Sequence, residues 1–186
     1  MTGSVYASVD RAAAAVARLF ALVGGVVLLA LTAIVCVSVV GRELASSDFL
    51  GTGLDLRLAR FGVGQVEGDF EMVELGVAFA IFSFLPWTQY SEAHARVDLF
   101  APFYGPRLSA LLDVAAQALM SAAALVIAWR LWLGMADKLQ YGETSMILQF
   151  PVWQAYAAGL GGACGFVLVA VFSVWRAVRR VRGLPA

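Results

Sequence analysis

Residues 19–41, LFALVGGVVLLALTAIVCVSVVG, form an uncharged apolar stretch between Arg18 and Arg42. A helix needs ~20 mostly apolar residues to cross the hydrocarbon core of a bilayer, and this stretch is long enough. It also exceeds the ~7–15 apolar residues of a signal peptide and lacks a clear A-x-A cleavage site, so we expect an uncleaved anchor. The sequence therefore predicts a membrane protein.

The composition of the whole chain agrees with a lipid environment. Of its 186 residues, 61% are hydrophobic and 14% are charged, and the mean hydropathy is +0.82. A soluble domain is usually ~45–50% apolar and ~25% charged. The formal net charge is +0 and no long basic tract is present, which argues against nucleic acid as a partner.

Three more apolar segments follow the first, so the predicted fold is an all-α integral membrane protein with four transmembrane helices in one domain. Glu71 and Glu74 lie in the opening turns of the second helix, as is typical of a helix end at the membrane interface. The predicted spans cover about residues 19–41, 70–90, 108–136 and 150–175, with an outer loop at 43–69 and a cytoplasmic loop at 91–107.

The distribution of Lys and Arg predicts the orientation, because cytoplasmic loops carry an excess of positive charge. Both termini are expected in the cytoplasm. The cytoplasmic set would be Arg11, Arg18, Arg96, Arg107, Arg176, Arg179, Arg180 and Arg182, against Arg42, Arg57, Arg60 and Lys138 on the outer side.

Residues 54–61, LDLRLARF, interrupt the outer loop with a periodic pattern. Leu54, Leu58 and Phe61 recur at helical spacing, which favours a short interfacial helix. The alternation in LDLRL also fits a strand, but a strand here would have no pairing partner. We therefore predict a short interfacial helix in this loop.

Arg130 stands inside the third predicted helix, between Trp129 and Trp132. An arginine within a span costs about 2.5–3.5 kcal/mol on insertion scales and usually faces water or a partner. Three interpretations stay open: the side chain snorkels to the outer headgroups, pairs with Glu74 or Glu71, or contacts another subunit.

The fourth helix contains AAGLGGACG, residues 157–165. Its small residues at a spacing of four, as at Gly161 and Gly165 or at Ala158 and Gly162, permit close approach of two helices. Gly24 and Gly25 in the first helix allow the same interpretation. The pattern predicts helix packing, not chemistry.

Residues that could support catalysis are sparse. His94 is the single histidine, so a bis-histidine haem is excluded, and Cys36 and Cys164 lie in apolar runs without metal-ligand spacing. We expect no metal, cofactor or substrate-binding residue and no enzyme, because neither a nucleophile with a base nor a broken polar helix is visible. An accessory subunit is favoured, while a small membrane enzyme or redox subunit and a homo-oligomeric channel or exporter remain alternatives.

Residues 91–107, SEAHARVDLFAPFYGPR, carry the most specific motif. Their H-x-x-V-D pattern, followed by Pro106 and Arg107, resembles the cytoplasmic loop of the small membrane subunit of tripartite ATP-independent periplasmic (TRAP) transporters, the DctQ-like family. The layout is also similar, with Arg42 and Glu43 closing the first helix and YGETSMILQFPVW, residues 141–153, leading into the last.

The resemblance implies a scaffold subunit in the bacterial inner membrane, part of an uptake system for organic acids driven by an ion gradient. Its partners would be a large membrane subunit, which carries the substrate and ion sites, and a periplasmic solute-binding protein. It also implies a periplasmic position for Arg42 and Glu43, and a structural role at the cytoplasmic interface for His94, Arg96, Asp98 and Arg107.

Overall fold

The computed structural model describes residues 2–46, 66–94 and 105–183. Within these ranges, four helices are long and apolar enough to cross a membrane, which confirms the predicted all-α fold. The interfacial helix predicted at residues 54–61 lies outside the described residues. The helices are α1 (Thr2–Ser46), α2 (Asp69–Tyr90), α3 (Pro106–Tyr141) and α4 (Val152–Val181).

Helix α1 is much longer than its apolar stretch, since it begins at Thr2 and not near residue 19. Arg11 and Arg18 mark the end of the hydrophobic pattern, but the alanine-rich sequence between them favours helix. The helix therefore continues beyond the membrane core. Helix α4 likewise extends past residue 175, through Arg179 and Arg180 in its last turn, because arginine also favours helix.

Glycine and proline set the helix ends. Gly142 adopts φ +63 immediately after α3, a left-handed conformation that ends a helix at little steric cost in glycine. Pro106 occupies the first turn of α3, and Pro151 directly precedes α4. Between α3 and α4 the chain forms a tight hairpin, in which Ser145 N–H donates to the Phe150 carbonyl at 2.9 Å.

Helix α4 is the centre of the fold. It packs against all three other helices, whereas α3 packs chiefly on α4 and α1 packs chiefly on α2. In the most apolar 18-residue segment of α4, 50% of the residues are buried, compared with 11% in the corresponding segments of α1 and α3. The described helices therefore form an open row in the order α1, α2, α4, α3, with two largely uncovered outer helices.

Small residues set the distances between neighbouring helices. A Cβ added at Gly162 on α4 would lie 2.7 Å from the backbone carbonyl atoms of Phe82 on α2. A Cβ at Gly24 on α1 would lie 2.8 Å from Ser83 Cβ. Close backbone approach of this kind is the usual packing mode of membrane helices.

The packing prediction for the fourth helix needs one correction. Gly165 does lie in a contact, because a Cβ there would be 2.7 Å from the ring of Phe20. Gly161 is exposed, and a Cβ there would meet nothing within 4 Å. With 3.6 residues per turn, residues 161 and 162 point in different directions, and Gly162 faces the neighbouring helix. Gly25 is likewise open, unlike Gly24.

Candidate functional site

The two membrane ends of the protein differ in chemistry. We call the end with both chain termini the termini end, and the end with the α3–α4 connection the hairpin end. At the termini end, Tyr6 of α1 stacks on Phe172 of α4 with ring centroids 6.0 Å apart, and it packs against the tilted ring of Trp175 at 5.2 Å. The Arg179 guanidinium lies 4.3 Å from the Tyr6 ring centroid, a cation–π contact. These contacts fix the first turns of α1 against α4.

Glu92 is the hub of an ion-pair cluster at the termini end. Its Oε1 accepts a hydrogen bond from Arg176 at 2.8 Å and forms an ion pair with Arg180, whose Nη2 lies 3.0 Å away. Arg176 also donates to the Tyr90 carbonyl at 3.0 Å, and the Tyr90 hydroxyl donates to Asp10 at 3.2 Å. The cluster therefore ties the ends of α1, α2 and α4 together.

A second polar chain at the termini end connects α2 with α3. Gln89 is 1% exposed, and its Nε2 donates to Gln117 Oε1 at 2.7 Å. His94 Nε2 lies 2.9 Å from Gln89 Oε1, so its ring must donate to that oxygen. His94 thus contacts and orients Gln89, the glutamine that links α2 to α3.

At the hairpin end, Glu71 docks the α3–α4 connection. Its two carboxylate oxygens accept hydrogen bonds from the backbone N–H groups of Ile147 at 2.8 Å and Leu148 at 2.9 Å. The interpretation that Glu71 pairs with Arg130 is therefore corrected, since the hairpin amides occupy this carboxylate. Arg42 and Glu43, near the last turn of α1, are exposed at the same end.

Glu74 lies elsewhere, in a cleft of about 450 Å³ that is lined by α2, α3 and α4. Lys138 and Tyr156 line the same cleft, and Lys138 forms an ion pair of 2.6 Å with Glu143. Arg130 is exposed, and it forms no ion pair with Glu74 or Glu71 within the described ranges.

A comparison with known families agrees with this helical architecture. The family model described as "Tripartite ATP-independent periplasmic transporters, DctQ component" matches residues 31–183. This is most of the chain. The chain belongs to the DctQ family. No curated protein and no solved structure gives a significant match.

As a DctQ component, the chain is the small membrane subunit of a TRAP transporter and not an enzyme. It is a multi-pass membrane protein, and its family implies partnership with a large membrane subunit and a periplasmic binding protein. In the described ranges, no group of three or more His, Cys, Asp or Glu side chains is arranged to hold a metal ion.

The loop motif of this DctQ chain is described only at its two ends. Arg96 and Asp98 lie outside the described residues, and for Arg107 only the backbone position, in the first turn of α3, is described. His94 is therefore the motif residue with a visible contact. The structure leaves the predicted roles of the other three as expectations.

Sequence reasoning missed Glu92 and Asp69. Glu92 directly follows α2, and the arginines that it binds recur four residues apart on α4, a spacing that places both on one helix face. Two arginines on one helix face could have predicted an acidic partner nearby. Asp69 was assigned only to the end of the outer loop, yet it is 9% exposed and bonded to Ser38.

Proposed function

We propose that this chain is the scaffold subunit of an ion-gradient-driven, binding-protein-dependent uptake system for organic acids in the bacterial inner membrane. It packs against the large membrane subunit and carries no substrate site itself. Both termini would face the cytoplasm and the hairpin end the periplasm. Family membership supports the transporter assignment, and the surface of α3 supports the packing role.

The observation that carries the proposal is the outward face of α3. This helix packs on one neighbour and leaves Trp129, Arg130 and Trp132 exposed. The outward face of α1 is instead aliphatic, with exposed side chains such as Leu22, Leu29 and Val37. Lipid tails satisfy an aliphatic face, whereas an arginine within a span requires a polar partner.

The axial position of Arg130 strengthens this argument. Gln117, at the termini end of α3, and Lys138, near its hairpin end, bracket the apolar part of the helix. With a rise of 1.5 Å per residue, Arg130 lies about 12 Å from Lys138 and about 20 Å from Gln117 along the axis. Arg130 thus lies about two turns from Lys138, within the apolar part of α3, and a carboxylate on a helix of the large subunit would satisfy its charge.

Affinity purification tests the proposal. A tagged chain, co-expressed with the large membrane subunit from its own organism, should recover that subunit near stoichiometry in mild detergent. Arg130→Ala should reduce the recovery at least tenfold, because truncating one member of a buried charge pair costs about 2–5 kcal/mol. Arg182→Ala, which removes an exposed arginine after α4, is the matched control and should recover the partner normally.

Transport measurements separate this function from its alternatives. Liposomes containing this chain alone should show no uptake of organic acids, whereas the complete system with its binding protein should show it. Uptake by the chain alone would instead indicate a homo-oligomeric channel or exporter. Equal recovery of the large subunit by the Arg130→Ala and Arg182→Ala variants would reject the α3 face as the contact.

A further inference from the structure

A polar pocket of about 430 Å³ opens at the termini end, between the first turns of α1 and the last turns of α2 and α4. It belongs to neither the α3 face nor the loop motif. Three arginines from two helices line it, together with two tyrosines and Asp10. The lining residues are Tyr6, Ala7, Asp10, Arg11, Tyr90, Arg176 and Arg180.

The pocket is held in shape by its own contacts. Tyr6 is 7% exposed, and Phe172, Trp175 and Arg179 surround its ring. On the opposite wall, Arg176 lies 5.5 Å from the Tyr90 ring centroid and donates to the Tyr90 carbonyl. The two walls meet where the Tyr90 hydroxyl donates to Asp10.

The charges of the pocket suit an anion with one negative charge. Arg11, Arg176 and Arg180 contribute three positive charges, and the carboxylates of Asp10 and Glu92 balance two of them. Arg176 donates one N–H to Glu92 and one to the Tyr90 carbonyl, Arg180 forms an ion pair with the same Glu92 oxygen, and each guanidinium has five N–H groups. The remaining N–H groups can serve an additional acceptor, and planar guanidinium groups suit phosphate oxygens.

Arg11 differs from the other two arginines in its contacts. Its Nε donates to the Ala7 carbonyl of its own helix at 3.2 Å, and in the described ranges it forms no ion pair. Among the three arginines of the pocket, Arg11 is therefore the one without an ion pair in the described parts of the chain. Arg11 belongs to α1 and Arg180 to α4, and both line the pocket, so an anion bound by both would join α1 to α4.

The depth of the pocket indicates where its ligand comes from. Trp87, Tyr90 and Trp175 surround this end of the helices, and Arg18 lies 5.6 Å from the Trp87 ring centroid. Tryptophan and tyrosine with arginine typically mark the headgroup level of a bilayer. We propose that the pocket binds the phosphate of an anionic glycerophospholipid from the leaflet at the termini end, with its arginines contacting the phosphate oxygens.

This assignment does not depend on the proposed transport function. It concerns α1 residues that precede the part of the chain matched by the family model, which begins at residue 31. A bound lipid would join α1 to α4 where their direct helix packing is less extensive than that of α4 with α2 or α3. Its function would be to hold the outer helix α1 in the row.

Native mass spectrometry of the full chain in detergent tests the site. Dioctanoyl phosphatidylglycerol and dioctanoyl phosphatidylethanolamine have the same acyl chains but differ in net charge. We expect phosphatidylglycerol to bind about tenfold more tightly, which corresponds to about 1.4 kcal/mol. Arg11→Gln should remove most of that preference, and it leaves the Glu92 ion pairs intact.

A control variant and a competing anion distinguish the possible outcomes. Arg182→Gln removes the same charge at the same end but outside the pocket, and it should change phosphatidylglycerol affinity less than twofold, within about 0.4 kcal/mol. Equal losses in the Arg11→Gln and Arg182→Gln variants, or equal binding of both lipids, would overturn the proposal. Complete displacement of the lipid by about 10 mM inorganic phosphate would instead assign the pocket to free phosphate, because phosphate without a glycerol backbone or acyl chains would then saturate the arginines at that concentration.

Discussion

The hydroxyl of Ser38 on α1 donates a 2.6 Å hydrogen bond to the carboxylate of Asp69, the first residue of α2. Ser38 is 1% exposed and Asp69 is 9% exposed. Ser38 Oγ also accepts from Val66 N–H at 3.2 Å, and Asp69 Oδ1 accepts from Phe70 N–H at 2.8 Å. One buried polar pair therefore joins the two helices where the connection between α1 and α2 ends.

Ser38→Ala should destabilise the protein by about 1–3 kcal/mol, because it leaves a buried carboxylate without one of its donors. The measurement is unfolding of the full chain in detergent. Thr32→Ala is the matched control: Thr32 is exposed, and its hydroxyl bonds only within its own helix, to the Leu28 carbonyl, among the described contacts. Equal unfolding free energies of the Ser38→Ala and Thr32→Ala variants would show that the Ser38–Asp69 hydrogen bond adds no stability.

Gly162→Ala and Gly161→Ala form a second matched pair. Alanine at 162 would bring a methyl group against the Phe82 backbone, which cannot move away as a flexible side chain could, so we expect a loss of about 1–3 kcal/mol. Alanine at 161 meets no neighbour and has better helix propensity, so it should be neutral or stabilise by up to about 1 kcal/mol. The same unfolding assay measures both, and the opposite order would contradict the packing.

Glu71→Gln should loosen the hairpin between α3 and α4. The carboxylate binds the N–H groups of Ile147 and Leu148 with two oxygens, whereas an amide offers a single carbonyl oxygen. Hydrogen exchange in a peptide covering both amides should become at least several-fold faster. Glu74→Gln, one turn away on the same helix, should leave that exchange unchanged, and faster exchange in both variants would reject the docking role.

A double-mutant cycle tests whether Arg130 and Glu74 interact. We expect Arg130→Ala and Glu74→Ala to change the unfolding free energy of the isolated chain additively, within about 0.3–0.5 kcal/mol. The reason is geometric: Glu74 lines a cleft formed by α2, α3 and α4, whereas Arg130 is exposed and is not among the residues that line this cleft. A coupling above about 0.5 kcal/mol would show that the two residues pair within this chain.

The sequence by itself determined the number of helices, their approximate positions and the family. Long uncharged stretches such as residues 19–41 have no stable alternative in lipid, because every backbone polar group must be bonded inside its own helix. The motif around His94 was sufficient to identify the family, since it depends on residue types and spacing alone.

Only the tertiary structure decided which residues meet. The sequence pattern could not choose between Gly161 and Gly162, because both are small and the choice depends on the rotation of α4 against α2. It could not pair Ser38 with Asp69, or Glu92 with Arg176, since these contacts join residues 31 and 84 positions apart. Hydrophobicity determines that each helix spans the membrane. It does not determine how the helix is rotated or which helices it packs against. Close packing and the partners of a few polar groups fix these instead.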